Sequence, residues 1–126
     1  MDNEGFIDRI SEFSIVEMNG ETGSNSGLLL YKGGTVCDDD FDRIAANALC
    51  SYQGYASSGS TWTSGNKWSI QSNYKMTLDE VNCRTRAWSS CTYSESPKKL
   101  CEHSEKDVFL NCTDTGSGEE FICRES

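Results

Sequence analysis

Two rhythms of apolar residues organise this chain: a period of two in its first third, then a helical period. In residues 13–18 (FSIVEM), Phe13, Ile15 and Glu17 share one face and Ser14, Val16 and Met18 the other, the alternation of a short strand. Residues 19–27 (NGETGSNSG) carry turn chemistry and lead into a second strand, 28–32. Gly33-Gly34 makes another turn, and residues 35–37 form a third extended piece. The period then changes. Phe41, Ile44, Ala45, Ala48, Leu49 and Tyr52 fall at i, i+3, i+4, i+7, i+8 and i+11, one apolar stripe at helical spacing. Asp40 or Asp42 is placed to accept from the free N–H groups at the helix start, where negative charge also complements the dipole. Gly54 suits the C-terminal cap.

After the helix the pattern is less regular. Residues 56–67, rich in Ser, Gly and Thr, read as a long surface loop with Trp62 as its anchor. Residues 68–73 and 74–78 predict short strands, and Asp79-Glu80-Val81-Asn82-Cys83 follows. Residues 93–100 contain the single proline and read as a loop, and 108–112 is a last apolar strand. No repeat or heptad is present. The pattern predicts an α+β domain of several short strands and one helix.

Composition narrows the setting. The chain has 126 residues, enough for a single core and one domain. Its net charge of −9 is the wrong sign for a nucleic-acid groove, and suits cations, basic partners or simple solubility. Seven cysteines with no CxxC pair, and His103 as the one histidine, argue against a zinc module and for disulfides in an oxidising compartment. No apolar run approaches membrane-spanning length. The start, MDNEGFIDRISEF, lacks the basic-then-apolar pattern of a signal peptide; for a secreted protein it reads as a mature or excised piece. Asn111-Cys112-Thr113 is an N-glycosylation acceptor, which fits secretion. The cysteine pairing stays open on these grounds.

GTVCDDDFD (34–42), Cys-x-x-x-Gly-Tyr (50–55), LDEVNC (78–83), WSSC, CEHSE (101–105) and VFLNC, in this order and spacing, resemble the scavenger receptor cysteine-rich (SRCR) domain. The resemblance covers residues 13–112. It leaves 1–12 as an N-terminal extension and 113–126 as a tail carrying Cys123. It implies a compact fold of short, curved antiparallel strands cradling one main helix. It also implies the six-cysteine (group A) pairing Cys37–Cys101, Cys50–Cys112 and Cys83–Cys91. The first two bridges close loops of more than sixty residues. Each contributes about 4 kcal/mol in the chain-entropy model, and the small ring around Trp88 about 2.6 kcal/mol. Reduction should therefore unfold the domain. Cys123 lies outside this framework and is expected to bridge to a partner chain or neighbouring domain, or to be free.

Several positions depart from the family pattern. Lys32-Gly33 stands where a tryptophan usually precedes GTVCDD, and Phe41 replaces the usual Trp. The ring CRTRAWSSC is shorter and lacks its usual glycine and glutamate. After CEHSE, Lys106-Asp107-Val108 replaces Asp-Ala-Gly.

The resemblance also gives the acidic cluster a role. Hard cations such as Ca²⁺ take six to eight oxygens, several from carboxylates. A Cys37–Cys101 bridge would bring Asp38 and Asp39 close to Glu105, and the matching positions in the family form a cation site used in ligand binding. Asp42, Asp79 and Glu80 are candidates for a second site. Three carboxylates completed by water suggest a Kd of roughly 10⁻⁴–10⁻³ M, as in extracellular modules. The competing reading of the same residues is helix capping plus a solvated acidic face. A held Ca²⁺ would let an acidic domain bridge to the phosphate, sulfate or carboxylate of a ligand, assisted by Arg84, Arg86, Lys98 and Lys99. An enzyme is not expected: His103 has no evident nucleophile beside it, and Cys123 lies in an acidic tail without the electropositive setting of a reactive thiolate. The expected function is an extracellular, non-enzymatic binding module of scavenger, pattern-recognition or adhesion type, for protein or polyanionic ligands with Ca²⁺ help. The alternatives are a disulfide-linked structural unit of a matrix or polymer, joined through Cys123, and an accessory domain of a secreted enzyme.

Overall fold

A computed structural model describes residues 12–99 and 104–114. Most of the N-terminal extension, most of the C-terminal tail, and Cys101, His103 and Cys123 lie outside the described residues. The strands are β1 (Phe13–Val16), β2 (Ser26–Tyr31), β3 (Gly34–Val36), β4 (Thr61–Ser64), β5 (Met76–Cys83), β6 (Cys91–Ser94) and β7 (Val108–Asn111), with the helix α1 (Arg43–Tyr52) between β3 and β4. They form a seven-stranded sheet in the order β4-β7-β2-β3-β5-β6, with β1 also on β2. The expectation of an antiparallel sheet needs one correction. β3 and β5 run parallel, because α1 and β4 intervene as a crossover.

The period-two pattern is realised on both faces of β2. Leu29 and Tyr31 join Phe13, Ile15, Val108 and Leu110 in the main core, which the buried side of α1 completes. Leu28 and Leu30 point the other way, into a second cluster with Val16 and Phe109 that Trp68, Ile70 and Tyr74 cover. Both faces are buried, so β2 reads as the continuous run SGLLLY rather than as a strict alternation. Gly34 is required here: a Cβ would lie 2.3 Å from the Lys75 carbonyl oxygen.

Asp42 is the residue that caps α1. Its Oδ1 accepts from the Ala45 N–H at 2.9 Å. Asp40 instead takes a left-handed backbone (φ 66°) in the turn that leads to it. Gly54, at φ 98°, follows the helix, and the Tyr55 N–H returns to the Cys50 carbonyl at 2.9 Å. The predicted stripe is shifted. Ile44 is 40% exposed, whereas Ala45 to Cys50 are all buried, including Ala46 and Asn47. The helix is enclosed by β4, β5 and the 3₁₀ turn Trp88–Ser90, so its burial exceeds a single stripe.

Other elements differ from expectation. The segment 56–67, read as a loop, contains β4, and the loop read at 93–100 begins inside β6. Residues 69–73 form a 3₁₀ helix rather than a strand. Gln71 explains it: its Oε1 accepts from the N–H groups of Lys67 and Trp68 at 2.6 and 2.8 Å, which closes the turn. Cys50–Cys112 ties α1 to the end of β7, and Cys83–Cys91 joins β5 to β6, both as implied. Cys37 is also disulfide-bonded and fully buried, while its expected partner Cys101 lies outside the described residues.

Candidate cation and ligand site

The acidic cluster begins where β3 leaves the sheet. The Cys37 N–H donates to the Leu78 carbonyl at 2.9 Å, and the Asp38 N–H donates to the Lys106 carbonyl at 2.9 Å. Cys37 and Asp107 also form an antiparallel bridge. Backbone pairing, and not a disulfide alone, therefore fixes residues 37–39 against the segment that follows Cys101.

Among the described residues, Cys37, Asp38 and Asp39 place one potential ligand atom each within 4.8 Å of one another. The Cys37 sulfur is committed to its disulfide, which leaves the two carboxylates as donors. Their side chains are 21% and 37% exposed. Glu105 is exposed and stands outside this group. The group beside the carboxylates is the Lys106 ammonium, 3.9 Å from Asp38 Oδ1 and 3.6 Å from Asp39 Oδ1. One ammonium of the same chain thus offsets part of the charge of the two carboxylates. The sequence carried one sign of this, Lys106 in place of the family's aspartate.

The second set of candidate acids has other work. Asp42 is the helix cap. Asp79 is completely buried, and its Oδ2 accepts from the Lys98 N–H at 3.0 Å. Its burial and its bond to the main chain remove it as an open ligand. Glu80, in the left-handed region at φ 57° where the β5–β6 register slips, turns outward and pairs with the Lys98 ammonium at 2.5 Å. Lys98 is held above its ordinary pKa by Glu80 first, and by Asp79 and Asp39 through space, so it stands within electrostatic reach of both acidic groups.

Asp107 is the residue that sequence reasoning passed over. It is 2% exposed, and its Oδ2 accepts from Gln71 Nε2 at 2.7 Å. Burial, foremost, and the Asp38 charge push its carboxyl above the usual range, against the hydrogen bonds from Gln71 and Thr35. It anchors the segment that carries Lys106.

Of the basic candidates, Arg84 and Lys99 are exposed, and Arg86 Nη1 donates to the Ser57 carbonyl at 3.2 Å. Trp88 is a structural anchor, edge-on to Phe13 at 5.1 Å and stacked on Tyr93 at 5.0 Å. Asn111 is exposed at the end of β7, and the Thr113 hydroxyl of its acceptor triplet donates to the Gly59 carbonyl at 3.0 Å. No helix among the described residues is long and apolar enough to cross a membrane.

The profile of the family described as "Scavenger receptor cysteine-rich domain" matches residues 17–113. Lysyl oxidase homolog 2 of Xenopus laevis is 40% identical over 88 residues, covering 67% of this chain and 11% of that protein. Macrophage receptor MARCO of Mesocricetus auratus is 35% identical over 98 residues, covering 71% of this chain and 20% of that protein. The crystal structure of the dimeric form of the SRCR domain of mouse MARCO is 24% identical, with a TM-score of 0.48, over 79% of this chain and 82% of that one. The chain spans only about a ninth to a fifth of the length of these two curated relatives. The family match extends over every described strand except β1, and over both disulfides whose two halves are described. The chain belongs to the scavenger receptor cysteine-rich family of extracellular, disulfide-stapled domains.

Proposed function

We propose that this domain is a non-catalytic binding module that uses Asp38 and Asp39, with Glu105 as a third carboxylate, to take up Ca²⁺ in exchange for the Lys106 ammonium. The observation that carries the reading is the pair itself. Two partly exposed carboxylates on a backbone-pinned segment hold a cationic group by contacts of 3.6 and 3.9 Å. Contacts that long between exposed charges contribute little stability, about 0–1 kcal/mol. A divalent ion competes well against them.

The donor set fits a hard cation and also limits its affinity. Carboxylate oxygens are the ligands Ca²⁺ prefers, and three side chains leave several of its six to eight positions to water or ligand. When bound, Ca²⁺ supplies positive charge that an acidic domain otherwise lacks at this surface. The protein's own part is to fix Asp38 and Asp39 through the Asp38 N–H, and to leave the exposed Arg84 and Lys99 for an anionic ligand. The ligand class is a protein surface or polyanion bearing carboxylate, sulfate or phosphate.

Retention on immobilised dextran sulfate tests this. The wild type should bind in Ca²⁺ and elute in EDTA, and Asp39→Ala should not bind in either. Equal retention of both proteins, or none by the wild type in Ca²⁺, would overturn the reading. A second reading, an accessory domain beside a catalytic one, is favoured by the match to a lysyl oxidase homolog of which this chain covers 11%.

A further inference from the structure

The face of the sheet turned away from α1 carries a groove of about 230 Å³ beside the edge strand β4. Its position follows from strand register. Thr61 lies opposite Asn111 and Thr63 opposite Phe109, so these four side chains stand on one face. Trp68 closes the groove, edge-on to Phe109 at 4.8 Å. Lys67 Nζ sits 5.2 Å from the centre of the Phe109 ring and 2.6 Å from Thr63 Oγ1. The floor is therefore aromatic and the rim is hydroxyl and ammonium. That is the complement of a pyranose, which has an apolar C–H face and a ring of hydroxyls.

Asn111 lines the same groove and opens the acceptor triplet Asn111-Cys112-Thr113. Its Nδ2 donates to Thr61 Oγ1 at 3.3 Å. An amide nitrogen carries two hydrogens, so one can stay on Thr61 while the other is replaced.

We propose that Asn111 carries an N-linked glycan whose first sugar lies in this groove, against Phe109 and Trp68, with its hydroxyls on Thr61, Thr63 and Lys67. In the modification, Asn111 Nδ2 loses one proton and bonds to the anomeric carbon of a polyprenyl-diphosphate-linked oligosaccharide, and the polyprenyl diphosphate leaves. The hydrogen bond to Thr61 fixes the amide plane and aims the new bond along the groove. The proposal is independent of the cation site, which lies where β3 leaves the sheet.

The full chain secreted from a glycosylating eukaryotic cell provides the test. Intact mass should show a glycan that disappears in Asn111→Gln. Loss of the glycan should lower the wild-type Tm by a few degrees. In the Trp68→Ala background, still glycosylated, the same Asn111→Gln change should leave Tm unmoved. Should Trp68→Ala not fold, Thr63→Ala carries the same comparison with a smaller reduction. An unmodified Asn111 in the secreted wild type overturns the proposal. So does a glycan contribution to Tm that is equal with and without the groove side chain.

Discussion

Two pairs of aspartates divide the chemistry of this domain. Asp38 and Asp39 are 21% and 37% exposed beside the side chain of Lys106. Asp79 and Asp107 are 0% and 2% exposed, and accept from the Lys98 main-chain N–H and from Gln71. The buried pair is held by donors that cannot leave without opening the fold. The exposed pair is held by an ammonium on a flexible stem, which another cation can displace. Placement in the ladder separates a structural acid from an exchangeable one: β5 turns Asp79 inward and Glu80 outward at adjacent positions.

The largest effect should come from Asp79→Ala. Truncation leaves the Lys98 N–H without its acceptor and a void at a fully buried position, a loss of about 2–4 kcal/mol in denaturant unfolding of the oxidised protein. A loss no greater than that of Asp38→Ala would break the contrast between the pairs.

Asp107→Asn separates burial from charge. The unfolded carboxyl titrates near the ordinary value of about 3.9 and the folded one above it. Between the two values the folded state holds a proton that the unfolded state has released, so this group makes stability fall as pH rises through that window. Above the folded pKa the penalty is complete and constant. Asp107→Asn should therefore remove that decline and cost within about 1 kcal/mol at neutral pH. An unchanged slope in urea midpoints across the acidic range would remove the assigned cause.

Lys106→Met should have the smallest effect on stability, under about 1 kcal/mol, because it deletes only exposed ion pairs. Its effect on cation binding should be larger, with tighter Ca²⁺ binding once the tethered competitor is gone.

Much of this was readable from the chain, and the exceptions share a cause. Asp42, Gly54 and the strands β1, β2 and β7 follow from local chemistry and period, and Cys50–Cys112 and Cys83–Cys91 follow from the family pattern. β4 (TWTS) and β6 (CTYS) were not legible, because strands at the ends of the sheet are largely exposed and lack an apolar signature. The 3₁₀ helix at 69–73 depends on the Gln71 side chain, whose amide also reaches Asp107, thirty-six residues away. Ile44 was misplaced because its side of the helix faces solvent while the opposite faces are enclosed. At the site, the Asp38–Asp39 pair was legible. Its occupant was not, because only the fold brings Lys106 to it.

Calorimetric titration of Ca²⁺ into the folded, oxidised domain decides whether this acidic pair exchanges its lysine for the ion. Exchange requires a saturable binding heat in the wild type, a lower Kd in Lys106→Met, and no heat in Asp39→Ala. No heat in the wild type and Lys106→Met, or an unchanged isotherm in Asp39→Ala, would contradict it.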